Sequence, residues 1–302
     1  MRRYLERSRC LEGSHTWLFI PGADEAAHAA AARSGADVII LELEDFTPPE
    51  LRPRARSLAA AAFAKWRAAG ALAAVRINPL EGDGRTDLES ILPAKPDVIL
   101  MSKVVSPRQV EALEQATGGQ FDLVPNVETA LGLVNAFEIG KASRKTIAML
   151  VASEDMVADL GTSRSRQGEE LAYVRQRFLV ECRAAGVEAI DCPYTFSDVK
   201  GAIADAKWAR RMGYRMKSVV DPAHVQAINR VFSISEFEVN EAKMIIRAFE
   251  DARKKGKERA KVKGKLVEIP IYAAAKRLLV EHARRVGESA AHTRPQKRKK
   301  ER

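Results

Sequence analysis

The stretch IAMLVASEDMVADLG, Ile147 to Gly161, opens with six apolar residues, breaks at Ser153 and continues with Glu154, Asp155 and Asp159. A short, continuous apolar run reads as a strand buried on both faces, as in a parallel sheet covered by helices. Such a strand closing on two adjacent carboxylates brings charge to the edge of a core, where it needs a counter-ion.

The same pattern recurs along the chain. Strand-like runs are WLFIPG (17–22), DVIILELED (37–45), LAAVRIN (72–78), DVILMSKV (97–104), FDLVPNVET (121–129), VEAIDCPYT (187–195) and YRMKSVVDP (214–222). Between them lie segments at helical spacing, such as ELRPRARSLAAAAFAKWRAAG and GEELAYVRQRFLVECRAAG, both ending on a Gly stop signal. Eight strands alternating with helices, in units of about 25–30 residues, predict an α/β fold of the (β/α)8 TIM-barrel type. A doubly wound open sheet is the competitor, and no GxGxxG follows the first strand to favour it.

The expected organisation is a barrel over residues 1–232, then a C-terminal helical and hairpin extension over 233–288. In that extension VKGKLVEIP reads as a hairpin closed at Lys263-Gly264. The extension is expected to pack on the barrel or on a neighbouring subunit. Residues 289–302 are expected to form a disordered basic tail.

The formal net charge of +10 is unevenly spread. Residues 250–302 carry 18 Lys/Arg against 7 Asp/Glu, whereas the first 249 carry 32 against 33. The tail could attract nucleic acid nonspecifically, but it has no interleaved aromatics and the chain has no groove-reading motif. MRRYLERSRCLEG lacks the apolar segment of a secretory signal, and no window is long and apolar enough for a membrane helix. Three cysteines without a CxxC pair suit a reducing compartment, so a cytoplasmic location is expected.

In a barrel, the loops after the C-terminal strand ends build the active site. There the sequence places Glu42, Glu44, Asp45, Arg76, Lys103, Glu128, Glu154, Asp155, Asp191 and Asp221. Several carboxylates with one Arg and one Lys at one rim read as a divalent-cation site that also handles an anionic substrate. Glu128 and Asp155 stand one βα unit apart, so adjacent strands would present them together. An all-oxygen pair suits Mg2+, while the absence of HxH, HExxH and Cys clusters argues against zinc. Each of these residues also has a plainer reading. Glu128 and Asp155 could form salt bridges, Arg76 could bridge to Glu44 or Asp45, and Asp159 could cap a helix. Lys103 stands where an imine-forming lysine could sit, although an electrostatic role is preferred beside a metal pair.

LFIPG, LELEDFTPPE, VRINPL, SKV, NVETALGLVNA and ASEDMVADLG, in this order, resemble the citrate lyase β-subunit-like family within the HpcH/HpaI aldolase superfamily. The resemblance runs from about Thr16 to Arg285. It implies a (β/α)8 barrel that binds Mg2+ and makes or breaks a C–C bond between a CoA thioester and a 2-oxo acid. It implies Glu128 and Asp155 as metal ligands and Arg76 as the group gripping the substrate carboxylate. Lys103 is a further substrate-binding candidate, and Glu44 and Asp45 are catalytic or orienting candidates. The family's GxMIDxP segment matches GKLVEIP, which puts a proton-moving carboxylate at Glu268, reaching a neighbouring subunit in a homo-oligomer (trimer or hexamer). The chain departs from the family at His15-Thr16, where an Arg-Ser pair is usual, and at Asp221-Pro222, where His-Pro is usual. The alternatives are an aldolase acting on free 2-oxo acids without CoA, and a catalytically silent barrel serving as a binding subunit.

Overall fold

The computed structural model describes Leu11 and residues 13–292. The chain divides into two compact units after Phe232. In the first unit eight parallel strands close into a barrel in sequence order. They are β1 (Thr16–Pro21), β2 (Val38–Glu42), β3 (Leu72–Ile77), β4 (Val98–Met101), β5 (Asp122–Val127), β6 (Ala148–Val151), β7 (Glu188–Asp191) and β8 (Met216–Val219). Closure comes from β1 against β8, with Trp17 opposite Ser218 and Leu18 opposite Val219.

Alternation along the strands sorts the apolar residues into two sets. Trp17, Phe19, Ile40, Ala74, Leu100, Val124, Leu150, Ile190 and Met216 pack together inside the barrel. Leu18, Ile20, Ile39, Leu41, Val75, Ile77, Ile99, Met149 and Ala189 pack instead with helix residues such as Phe63, Trp66 and Phe178. Every strand is covered on both faces, which accounts for the continuous apolar runs.

Parity decides the fate of two charged strand residues. Asp191 and Lys217 follow the inward-packing Ile190 and Met216, so both point outward beneath the helices. There Arg175 donates to Asp191 at 2.6 and 2.8 Å and to Asp205 at 2.8 Å. Lys217 Nζ lies 2.6 Å from Asp191 and 2.5 Å from Asp205. The Arg175 guanidinium also stacks on Trp208, 4.2 Å from the ring centroid. Two cations thus neutralise two carboxylates in a buried network, which excludes Asp191 from the barrel mouth. Cys192 beside it is buried packing, its thiol pushed up to about 11 by desolvation.

The second unit contains the helix Glu236–Lys254, opened by a Ser235/Glu238 capping box, and the antiparallel hairpin β9 (Ala260–Val262) and β10 (Lys265–Val267). Lys263 and Gly264 both have positive φ, 48° and 81°, as a two-residue type I′ turn requires. Phe249, Ala260 and Val267 form its small core, with Tyr272 stacked on Phe249 at 4.7 Å. The last helix, Ile269–His292, takes in residues 289–292 of the expected tail. The rest of the expected disordered segment lies outside the described residues. Among the described residues no helix is long and apolar enough to cross a membrane.

Removing one member of a buried charge network leaves the others uncompensated, at a cost of about 3–5 kcal/mol. Lys217→Met is therefore expected to lower Tm by roughly 6–15 °C in calorimetry. A shift below about 2 °C would show that the network contributes little.

Candidate active site

The site grows from one register. Across the β2–β3 pair, Glu42 and Arg76 are direct Cα partners. Both share the inward parity of Ile40 and Ala74, so a carboxylate and a guanidinium meet inside the mouth of the barrel. Arg76 Nε donates to Glu42 Oε1 at 2.9 Å, and Nη2 lies 2.9 Å from the same oxygen. Nη2 also lies 3.1 Å from Glu44 Oε2 and 3.7 Å from Asp45, while Nη1 lies 3.6 Å from Glu128. Phe19 and Phe46 approach the guanidinium, with ring centroids at 5.1 and 5.9 Å. Burial alone would disfavour the charged form, but the surrounding carboxylates outweigh it and hold Arg76 ionised.

The loop after β4 supplies Lys103. Its backbone is left-handed, with φ 54°, an uncommon conformation for a residue with a side chain. That turn lets its N–H donate to Glu128 Oε2 at 3.2 Å while Nζ donates to Glu44. Nζ also lies 3.7 Å from Asp45. The hydrogen bond to Glu44 is the main reason the Lys103 ammonium is held charged.

Glu128 follows β5 and is fully buried. Desolvation drives its carboxyl up to about 8; Arg76 opposes this, while Glu44, Asp155 and Asp45 add to it. Asp155 is half-buried and likewise raised, first by desolvation and then by Asp45. Glu44 is raised by burial against the pull of Arg76 and Lys103. Its Oε2 has the ion pair to Arg76 but no directed hydrogen bond, and the buried Asn126 Oδ1 has no hydrogen-bond partner.

Five carboxylates (Glu42, Glu44, Asp45, Glu128 and Asp155) therefore crowd two cations, and three of the five resist ionisation. Such a set is short of positive charge and suits a divalent cation. Among the described residues no three His, Cys, Asp or Glu side chains form a ready cage. Mg2+ does not need one, because it commonly takes one or two carboxylates and fills its octahedron with water and substrate oxygens. Glu128 and Asp155 are the pair available for it.

The local structure departs from expectation at the opening stretch. Strand β6 ends at Val151, and a short helix, Glu154–Asp159, starts at the first carboxylate. Glu154 and Asp155 therefore sit in a helix's first turn, where the dipole favours anions. Glu154 turns away to accept from Thr195 Oγ1 at 2.8 Å. Asp159 ends that helix instead of opening it, and its Oδ2 accepts from the Ala130 amide at 2.7 Å. Asp221 accepts from the Ala223 amide at 2.9 Å and caps a short 3-10 turn. Glu268 belongs to the second unit, where it pairs with Arg259 at 3.0 Å.

Glu42 was legible only as one of eight acids at the rim and was not singled out as a site residue. The missed signal is parity, Ile40-x-Glu42 beside Ala74-x-Arg76, which directs both charges inward. Nothing in the sequence marks Phe19 and Phe46 as neighbours of Arg76.

A closed parallel barrel with charged residues gathered at the carboxyl ends of its strands has the plan of a (β/α)8 enzyme. The chain belongs to the HpcH/HpaI aldolase/citrate lyase family, whose pattern matches residues 15–222. It is 31% identical over 276 residues to citrate lyase subunit beta of Leuconostoc mesenteroides subsp. cremoris, covering 87% of this chain and 91% of the relative. It is 35% identical over 260 residues to a (3S)-malyl-CoA thioesterase of Cereibacter sphaeroides, covering 83% and 88%. It also resembles the crystal structure of CitE from Mycobacterium tuberculosis in complex with magnesium, acetoacetate and coenzyme A. There the TM-score is 0.75 and the identity 27%, over 89% of this chain and 98% of the other.

The raised carboxyl of Glu128 has a consequence for stability. An acid whose folded pKa lies above its unfolded value binds more protons in the native state, so stability falls as pH rises between the two values. For Glu128 that window runs from its ordinary 4.5 to about 8. Glu128→Gln is expected to raise the Tm of metal-free protein by a few degrees at pH 8, with the gain fading toward pH 5. A Tm difference independent of pH would contradict the raised pKa.

Proposed function

We propose that this protein is a Mg2+-dependent carbon–carbon lyase, cleaving or forming a hydroxyacyl-CoA from a 2-oxo acid and an acyl-CoA by a retro-Claisen route. The observation that carries the reading is the buried Arg76 set among carboxylates that resist ionisation. That arrangement can hold an anion and a divalent cation side by side. Family membership and the magnesium, acetoacetate and coenzyme A bound to the CitE relative support it.

In this reading Glu128 and Asp155 hold the cation. Bound there, Mg2+ supplies Lewis-acid polarisation of the oxo-acid carbonyl. Arg76 grips the substrate carboxylate through its end edge, because Glu42 already occupies the side edge. Nη1 has only the 3.6 Å ion pair with Glu128 and is the freest donor. A charge-assisted contact to a carboxylate is shorter and stronger than a neutral one. Lys103 and Glu44 shape the field beside that carboxylate, and Asp45 orients Lys103.

Cleavage removes the proton from the substrate hydroxyl, whose oxygen becomes the oxo-acid carbonyl. The electron pair of the broken C–C bond passes to the thioester enolate, which then takes a proton at carbon. Glu268, supplied by a neighbouring subunit in a trimer or hexamer, is the proposed proton carrier. Cytoplasmic placement fits a CoA-dependent reaction and the free thiols of Cys182 and Cys192.

One observation favours a second reading, an aldolase acting on free 2-oxo acids. The first helix after β1, Glu25–Ala31, is capped by the Asp24 carboxylate and begins with Glu25. An acidic start there does not invite the phosphates of a CoA tail.

The deciding assay follows 2-oxo acid and free CoA release from a panel of hydroxyacyl-CoA thioesters and free hydroxy acids, with and without Mg2+. Oxo acid released from a thioester, and lost in Glu128→Gln and Asp155→Asn, is the expected result. Release from free acids alone would move the protein to the aldolase class. CoA release without oxo acid would make it a thioesterase. Mg2+ must displace the proton of Glu128, so calorimetric Mg2+ affinity should rise up to about tenfold per pH unit below pH 8 and then level off. A flat profile would remove Glu128 from the metal site.

A further inference from the structure

Glu42 touches no position open to a substrate, yet its carboxylate gathers four donors. Arg76 Nε and Nη2 approach Oε1, each at 2.9 Å, and the Glu44 amide donates to the same oxygen at 2.6 Å. The Phe46 amide donates to Oε2 at 2.6 Å. Its main-chain oxygen accepts from Gly22 N at 3.1 Å and from Thr47 Oγ1 at 2.6 Å, and Thr47 Oγ1 accepts from Gly22 N at 2.9 Å. The side chain is completely buried. The loop Leu43–Thr47 is thus wrapped around one carboxylate, and that loop carries Glu44, Asp45 and Phe46.

We propose that Glu42 is the positioning residue of the anion site, a role that rests on the reading of Arg76 as the substrate-carboxylate grip. A guanidinium offers two bidentate edges, Nε/Nη2 on the side and Nη1/Nη2 at the end. Glu42 fills the side edge, and through the Phe46 amide it fixes one of the aromatic rings near the guanidinium. The end edge alone stays directed at Glu44, Asp45 and Glu128, beside the pair available for the cation. Positioning of this kind matters because misplacing a binding group by about an ångström is costly to a reaction that depends on orientation. The buried charge itself also matters, because a neutral amide cannot accept from four donors as strongly as a carboxylate.

Glu42→Gln and Glu42→Asp should be compared with wild type in two titrations, Mg2+ alone and pyruvate in the presence of Mg2+. The Arg76 Nε–H NMR resonance, assigned by its loss in Arg76→Lys, is followed in parallel. In Glu42→Gln, Mg2+ affinity should stay within about threefold of wild type, while pyruvate affinity falls at least about tenfold. The Arg76 Nε–H signal should move upfield or broaden away. Glu42→Asp keeps the charge and should recover part of both readouts; it also serves as the test variant if Glu42→Gln fails to fold. Unchanged pyruvate binding with an altered Arg76 signal would overturn the proposal. Mg2+ and pyruvate affinity falling together with Tm would reduce Glu42 to a structural residue. If wild type itself binds no pyruvate, the Arg76 grip fails as a reading. The Nε–H signal then still decides the hold: unchanged in Glu42→Gln, it overturns the positioning role as well.

Discussion

The interaction on which the site depends is the pairing of Glu42 and Arg76 across adjacent barrel strands. A buried guanidinium is costly unless its donors are satisfied, and a buried carboxylate has the same requirement. Placing them as direct partners in the β2–β3 register solves both problems at once and anchors the loop that follows β2. The remaining acids cannot all be neutralised this way. Arg76 and Lys103 are shared among Glu42, Glu44, Asp45 and Glu128, and burial, with neighbouring carboxylates adding to it, raises the carboxyls of Glu44, Glu128 and Asp155. In the proposed function, a divalent ion supplies the positive charge that these acids lack.

A second buried charge cluster provides the contrast. Arg175, Asp191, Asp205 and Lys217 balance charge for charge under the helices. Here Asp205 is lowered to about 2, because Lys217 and Arg175 outweigh its burial. The same residue types therefore do opposite work. The outward cluster is balanced in charge and ties helices to strands, whereas the inward cluster has more acids than cations and faces the mouth. Their separation follows from the two-residue period of a strand, which sends alternate side chains to opposite faces.

Most of the architecture was legible because its signals are local and repeated. All eight expected strand segments contain a barrel strand, since continuous apolar runs suit strands covered on both faces. The Lys263-Gly264 turn was legible from its dipeptide and hairpin pattern. The carboxylates were legible as a crowd at the strand ends, but their division of labour was not. Glu154 and Asp155 look equivalent in sequence, and only the helix starting at Glu154 turns one toward Thr195 while leaving the other near Asp45 and Glu128. Asp191 looked like a rim acid because its outward parity depends on where β7 begins. The place of Glu42 comes from a cross-strand register, which no single segment encodes.

The central claim is that the acid-rich mouth around Arg76 is a cation site held by Glu128 and Asp155. Mn2+ can replace Mg2+ as an oxygen-liganded probe, so anomalous diffraction from crystals soaked in Mn2+ reads the position directly. The expected result is one strong peak within coordination distance of both the Glu128 and Asp155 carboxylates, absent from Glu128→Gln crystals. A peak elsewhere, or an undiminished peak in the variant, would contradict the site.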